Sequence, residues 1–365
     1  MLSYIVWDIN PEIFTIPGIN FPLRYYSLFF ALGFIISQQI MFYFFRKDGR
    51  PQKDVDTLTI YMVVATVIGA RLGHVIFYEP EIFVEDPIGV IRFWNGGLSG
   101  LASHGGAFGI LFALWLYARK RPNQSYFWIL DRIVIVVALT GCLIRLGNFM
   151  NSEIVGKPTN SQYGVVFARL AEEWIMARND AILDVEAEKG GTVGETPVTL
   201  DITVRRNYRN DMEIDRLLQA AVQPVLTSSR VIEDVYLPPG QEPKFDIWRD
   251  PSGVEVKLQA AGIARHPSQL YESSFYLALF LVLFFLWKRY RTTWAEGKIF
   301  GIFLIALFGF RFLVEFVKAD QVAFEADIPL NMGQWLSIPL VLAGIFVLIY
   351  VSRKHKETHA NVSEN

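Results

Sequence analysis

The sequence predicts an all-α polytopic membrane protein: seven transmembrane helices, with a small α+β extramembrane insertion between the fourth and the fifth. Apolar residues make up 52% and aromatic residues 15% of the 365-residue chain, and mean hydropathy is positive. Runs of roughly twenty apolar residues recur, the length a helix needs to cross about 30 Å of hydrocarbon. The connecting loops alternate between basic and acidic, and short loops rich in Lys and Arg mark the cytoplasmic side.

The first helix, 22–45, enters from outside near Phe21 and runs into Arg46, Lys47, Arg50 and Lys53. At a rise of about 1.5 Å per residue, Tyr26 lies about 8 Å in. The second, 57–78, leaves the cytoplasm near Thr57 and ends at Glu79, Glu81, Glu85 and Asp86. Arg71 is about 21 Å up it. The third, 97–118, descends from Gly97 to Arg119, Lys120 and Arg121, with His104 about 10 Å deep. The fourth, 127–149, climbs from Phe127 and sets Arg145 about 27 Å along, near the outer mouth. The fifth, 268–287, begins outside at His266-Pro267-Ser268-Gln269 and ends in Lys288, Arg289 and Arg291. The sixth, 298–318, rises from Lys298 toward Asp320, Glu325 and Asp327, with Arg311 about 20 Å up and Glu315 one turn higher. The seventh, 333–352, returns to Arg353, Lys354 and Lys356. The N-terminus is therefore expected outside and the C-terminus inside.

The expected divisions are 1–156 with four helices, the insertion 157–264, and 265–365 with three helices and a tail. The insertion is too polar for a membrane segment. Thr196–Val204 alternates as a half-buried strand does, and Asp211–Gln223 has helical spacing through Ile214, Leu217, Leu218 and Ala221. Arg230–Leu237 and Val254–Leu258 read as further short strands, with Pro238-Pro239-Gly240 punctuating. Such strands offer an edge to an extended peptide; a stabilising cap is the other reading of the insertion.

Net charge is −2, and no nucleic-acid partner is expected. Cys142 is the single cysteine, so an intrachain disulfide is excluded, and no Cys/His spacing suggests a metal site. The N-terminus lacks the basic region of a cleavable signal peptide.

Tyr26, Arg71, His104, Arg145, Arg311 and Glu315 thus share one expected level in the outer leaflet. Ionisable groups in a bilayer are costly unless paired or facing a wet cavity, so they are functional candidates. Arg311 and Glu315 stand at i, i+4 and can pair. Guanidinium forks match phosphate oxygens bidentately, and a lipid phosphate is the natural counter-ion at this depth. An internal lattice of ion pairs that also uses Glu153 and Glu272 is the competing reading. Gly96, Gly97, Gly100, Gly105, Gly106 and Gly109 smooth the helix around His104. That suits either close helix packing or the approach of a lipid. Imidazole is suited to acid/base work near neutrality.

At these residues the chain resembles the bacterial prolipoprotein diacylglyceryl transferase family. The resemblance rests on Arg145-Leu146-Gly147-Asn148-Phe149-Met150-Asn151-Ser152-Glu153 with Gly156, and on Arg265-His266-Pro267-Ser268-Gln269-Leu270-Tyr271-Glu272. Arg24-Tyr25-Tyr26, Gly69-Ala70-Arg71-Leu72-Gly73, Ser103-His104-Gly105-Gly106 and Arg311-Phe312-Leu313-Val314-Glu315 also fit. Together they cover the membrane part.

The resemblance implies transfer of the diacylglyceryl group of phosphatidylglycerol to the lipobox cysteine thiol of preprolipoproteins, with a thioether formed and glycerol-1-phosphate released. It implies the bacterial inner membrane, a multi-pass protein among membrane lipids, a periplasmic N-terminus and insertion, a cytoplasmic C-terminus, and no cofactor. His104, Arg145 and Arg311 are the expected catalytic residues: Arg145 and Arg311 on the phosphate, His104 as base for the thiol. Tyr26, Arg71, Asn148, Glu153, Gly156, His266, Gln269, Tyr271, Glu272 and Glu315 are expected to bind substrate or orient those groups. The sequence departs from the family at Leu307, where a functional tyrosine is usual; Tyr271 and Tyr276 are the candidate substitutes. The stretch between Val166 and Arg265 is also longer than in typical members.

The rival class is a membrane transporter or channel for an anionic lipid or solute. It needs polar groups across the whole bilayer, whereas Ile40–Phe45 and Leu277–Trp287 are almost wholly apolar. An intramembrane protease needs a catalytic pair or HExxH, and no HExxH occurs.

Overall fold

The computed structural model describes residues 4–18, 21–87, 90, 102–208, 210–228, 234–249, 253–319 and 329–363. The chain is mostly helical, with a small sheet region. Its long helices are α1 (Tyr25–Lys47), α2 (Lys53–Tyr78), α4 (Ser103–Arg119), α5 (Tyr126–Met150), α9 (Ser268–Tyr290), α10 (Lys298–Val314) and α11 (Met332–Ser363). A short α3 (Ile82–Glu85) follows α2. By length and composition, α1, α2, α5, α9 and the stretch Met332–Lys356 of α11 can cross a membrane. Helices α4 and α10 are apolar and 17 residues long. The expected start of the third span, 97–101, lies outside the described residues, with Gly96, Gly97 and Gly100.

Two boundaries differ from the sequence reading. Residues Phe21–Arg24 form strand β3, antiparallel to β2 (Glu12–Ile16), so α1 starts three residues later than expected. Helix α10 stops at Val314 rather than 318. There the ladder tightens to Phe316 N–H on Leu313 O and Val317 N–H on Val314 O. The chain then turns to pair outside the helix: Lys157 N–H donates to Val317 O at 2.8 Å, and Ala319 N–H to Val155 O at 3.1 Å.

The chain divides into two compact units. The first comprises Met1–Phe30, Leu143–Ser274 and Arg311–Trp335. It contains β1 (Tyr4–Trp7), parallel to β4 (Gly164–Phe167). Its main sheet runs β5 (Ile182–Lys189), β6 (Pro197–Val204), β9 (Val254–Gly262), and along the far edge of β9 it carries β8 (Lys244–Arg249) and β7 (Val235–Tyr236). Strand β6 alternates as its sequence implied: Val198, Leu200, Ile202 and Val204 are fully buried. Both its edges are paired, to β5 and to β9, so it offers none to a peptide. The buried face packs on α6 (Arg169–Arg178) through Ala171 and Ile175, and on a helical stretch from Asp211 to Leu226.

That stretch is α7 (Asp211–Leu217), a π-helical turn (Leu218–Val222) and α8 (Gln223–Leu226). The Asn210 side chain caps it by accepting from Glu213 N–H at 2.8 Å. The π turn precedes Pro224, which has no N–H for the Ala220 carbonyl; Gln223 N–H instead reaches back to Leu218 O. Of the expected strand Arg230–Leu237, residues 230–233 lie outside the described residues, and Val235–Tyr236 is extended.

The second unit comprises Ala31–Cys142, Phe275–Phe310 and Leu336–Asn365. Its core is Phe44, Phe45, Leu58, Leu114, Ile129, Ile135, Leu283 and Trp287, all nearly inaccessible. Helices α2 and α4 touch backbone to backbone: a Cβ on Gly73 would lie 2.5 Å from Gly105 Cα, and one on Gly109 3.0 Å from Gly69 Cα. Only glycine permits that approach, and such contacts drive helix association where no water is expelled. The other helical faces turn large apolar side chains outward, among them Ile60, Phe77, Phe112, Phe285 and Phe346. An apolar exterior of this extent suits hydrocarbon as the surroundings.

Candidate active site

In the first unit, the two longest sequence motifs form one hydrogen-bonded cluster. Arg145 stands in the last turns of α5 and Glu272 in the second turn of α9. Arg145 Nε lies 2.9 Å from Glu272 Oε2; the carboxylate is wholly buried, the guanidinium 13% exposed. Arg145 Nη1 donates to Asn148 Oδ1 at 3.2 Å. Asn148 Nδ2 and Asn151 Nδ2 donate to the two carboxylate oxygens of Glu153, at 3.3 and 3.2 Å. No partner is recorded among the described residues for the Nη2 edge of Arg145. Gly147 makes room: a Cβ there would meet Tyr26 Cα at 3.0 Å, so Tyr26 lies against the α5 backbone two residues beyond Arg145.

The turn after α5 is held from the other motif. Ser152 and Ile154 adopt φ of 54° and 58°, which a β-branched side chain rarely tolerates. Ser268 Oγ donates to Ile154 O at 2.8 Å, and Gln269 Nε2 to Glu153 O at 2.6 Å. Gly156 N–H donates to His266 O at 3.0 Å, while His266 Nδ1 and the Tyr271 hydroxyl are 3.2 Å apart. Arg265 is buried between Asp234 Oδ1 at 3.0 Å and Gly156 O at 3.2 Å.

A second cluster in the same unit surrounds Glu315. Its Oε1 is 2.9 Å from Lys318 Nζ and 3.7 Å from Arg311 Nη2, and its Oε2 accepts from Asn331 Nδ2 at 3.1 Å. Lys318 is 1% exposed and Arg311 31%. The expected Arg311–Glu315 pair is therefore the loose member of a tighter set, and Lys318 and Asn331 are residues the sequence reading missed. The i, i+3 spacing of Glu315 and Lys318 was the available signal. Arg265 was quoted there without a role; its burial gives it one.

His104 and Arg71 belong to the second unit. His104 meets the Phe77 ring edge-on at 4.9 Å and the Tyr78 ring at 6.1 Å. His74 stacks on the same Tyr78 at 5.3 Å. Arg71 Nε donates to Val90 O at 3.2 Å. Leu307, where the family has its tyrosine, packs on the apolar core of this unit, and Tyr276 lies against Gly141.

A family profile described as prolipoprotein diacylglyceryl transferase matches residues 11–350, which includes every residue of both clusters. The chain belongs to that family. It is 34% identical over 352 residues to a phosphatidylglycerol–prolipoprotein diacylglyceryl transferase of Tolumonas auensis, covering 96% of this chain and 98% of that one. Proteins of the same name from Chloroherpeton thalassium and Bacteroides fragilis are each 33% identical, over 355 and 363 residues and 97% of this chain. They are covered to 97% and 98% of their own lengths, so the long stretch before Arg265 is not peculiar to this sequence. Membership and the apolar helices make the chain an integral membrane enzyme of lipoprotein diacylglyceryl transfer, and the transporter reading is not favoured.

Proposed function

We propose that the protein is a seven-span enzyme of the bacterial cytoplasmic membrane that moves the diacylglyceryl group of phosphatidylglycerol onto the lipobox cysteine of preprolipoproteins. The N-terminus and residues 157–264 face the periplasm, between helical parts 1–156 and 265–365, and the C-terminus faces the cytoplasm; the alternation of loop charge supports this orientation. The relatives' names supply both substrate classes. We infer the lipobox contact itself, and the entry of phosphatidylglycerol from the surrounding membrane lipids.

The chemistry fits the residues. The thiolate sulfur attacks the glyceryl carbon that bears the phosphodiester, a carbon–sulfur bond forms, and the carbon–oxygen bond breaks. A neutral thiol is a poor nucleophile, so its proton must leave first. His104 is the proposed acceptor. As the bond breaks, one negative charge passes from sulfur to the departing phosphate, which becomes a monoester. Fixed cations aimed at that oxygen lower the barrier without reorganising. Arg145, locked by Glu272 and Asn148, has its Nη2 edge for this role, and Arg311 provides the second guanidinium.

The remaining candidates support these two. Glu153, Glu272 and Glu315 orient cations and amides. Tyr26 and Arg71 are the proposed headgroup-binding residues, and Gly156, His266 and Tyr271 are proposed to shape the turn after α5. Gln269 has a narrower role than a phosphate donor: its Nε2 is engaged, and its buried Oε1 has no partner among the described residues. An acceptor repels a phosphate oxygen and suits a glycerol hydroxyl of the headgroup.

The observation that carries the proposal is the buried, doubly fixed Arg145 on the family's motifs. The test is transfer itself. Purified protein, labelled phosphatidylglycerol and a lipobox peptide should give a labelled thioether, and a peptide with serine for the lipobox cysteine should give none. Label on the serine peptide, or none on either, would sink the reading.

A further inference from the structure

We propose that the cleft beside β8, on the extramembrane sheet, binds an extended, positively charged segment of the polypeptide substrate. The inference rests on the transferase reading for the identity of that polypeptide, and on the sheet alone for its chemistry.

Strand β8 is an edge strand of the sheet. Lys244–Arg249 pair with Gln259–Val254 of β9, and among the described residues they pair with nothing on the other side. Its outer edge therefore presents backbone N–H and C=O groups to an added strand, the geometry by which an extended peptide joins a sheet. A cleft of about 460 Å³ opens between this edge and the π turn. Phe245, Leu218 and Val222 give it an apolar floor, and Asp215 and Glu242 line it. A second cleft of about 460 Å³ continues along Phe245 and Asp215 to Asp246. The π turn supplies both Leu218 and Val222 to the cleft, and such turns recur at functional sites.

Charge selects the occupant. Arg249 is already bound to Asp211. Asp215, Glu242 and Asp246 have no cationic partner among the described residues. A strand laid against β8 sends every other side chain to the cleft face, where lysine or arginine meets the carboxylates, while the intervening apolar residues face the other way. An acidic segment would meet the like charges of Asp215 and Glu242.

Two measurements test this on the full-length protein in phosphatidylglycerol nanodiscs. In the first, fluorescent lipobox peptides carry a downstream tail of alternating lysine and valine, alternating glutamate and valine, or no tail. Binding is read by anisotropy without turnover. The lysine tail should bind at least tenfold tighter than the other two, and Asp215→Lys with Glu242→Lys should remove that gain while leaving the tail-less peptide unchanged. N-methylation of alternate tail residues should weaken binding in one phase and spare it in the other, since only one set of amides faces β8. Equal affinity of the three tails, or a gain that survives the charge reversal, overturns the proposal. In the second, transfer to the tail-less peptide is followed. If wild type fails there the transferase reading fails, while the anisotropy result still decides the cleft.

Discussion

Lys318→Met isolates the clearest feature that the sequence did not announce. Lys318 is 2.9 Å from Glu315 Oε1, against 3.7 Å for Arg311, and both ends of the closer pair are buried. Methionine keeps the bulk and removes the ammonium. Among the described residues Glu315 then has Arg311 as its only cation, four residues back at the end of α10, and draws the guanidinium away from the phosphate proposed for it. A hydrogen bond to a charged group is worth about 1.5–3 kcal/mol, and about 1.4 kcal/mol is a decade in rate. The specificity constant for phosphatidylglycerol should therefore fall roughly tenfold to 150-fold. Breaking a buried pair also costs stability, about 3–5 kcal/mol, so melting of the purified variant must be followed beside turnover. The discriminating partner is Lys318→Met combined with Glu315→Gln, which removes the stranded carboxylate as well. It leaves Arg311 without a competitor and should recover most of both losses. Kinetics with labelled phosphatidylglycerol at fixed lipobox peptide read the effect. Wild-type kcat/KM in the single variant, or a double variant slower than the single, refutes the reasoning.

Arg145→Lys keeps the charge but loses the planar fork, so transfer should drop about a hundredfold with the fold intact; near wild-type turnover would make Arg145 a point charge. Gln269→Leu should lose preference for the glycerol headgroup over an ethanolamine one, read by competition between the two lipids, and unchanged preference removes the acceptor role. Glu172 is buried in α6, and burial together with Asp8 raises its carboxyl from 4.5 to about 8. The folded state therefore holds a proton that the unfolded chain has released, so local stability is greatest below about pH 4.5 and is lost as pH rises toward 8, by up to about 1.4 kcal/mol per pH unit. Hydrogen exchange of the sheet, corrected for intrinsic rate, should show that slope in wild type and a flatter one in Glu172→Gln. Single cysteines in place of Lys53, Arg121, Lys244 and Lys356, in a Cys142→Ala background, should react with an impermeant maleimide in spheroplasts only at 244; labelling at 53 or 356 inverts the orientation.

The long helices were legible because each is written as a largely apolar run, a signal that needs no partner to read. Strand β6 was legible for the same reason, since its alternation from Val198 to Val204 survives in the sequence alone. Strand β1 was not. Its four residues make sense only against Gly164–Phe167, more than 150 positions away, and pairing at that range leaves no local trace. Helix α6 was missed because only Ala171, Glu172 and Ile175 are buried along it, and alanine and glutamate do not mark an apolar face. The end of α10 was misplaced because Phe316 and Val317 continue the apolar run, while the backbone leaves the helix to pair with residues 155–157. At the site, residue types that carry charge in an apolar setting were found, and the pairings among them were not. Spacing proposed Arg311 with Glu315; depth along the fold gave that carboxylate to Lys318.

The two motifs flanking the insertion are best understood as one device split by more than a hundred residues. The first contributes the turn 151–154, whose positive φ at Ser152 and at β-branched Ile154 costs on the order of 1–3 kcal/mol each. That cost is borne because the turn aims the Glu153 and Ile154 carbonyls at α9, where the second motif supplies Gln269 Nε2 and Ser268 Oγ to receive them. With the turn fixed, Glu153 N–H closes on Asn148 O at 2.9 Å, and the Glu153 side chain returns to Asn148. Asn148 is thereby oriented with its Oδ1 toward Arg145, and Glu272, one turn along α9 from Ser268, fixes Nε of the same guanidinium. Every bond in this chain constrains the plane of one arginine fork. A lone ion pair would hold the charge equally well and leave the plane free, and a plane matters only to a ligand with two oxygens to offer. The strain in the turn is thus an argument for phosphate recognition that does not depend on the sign of the charge alone.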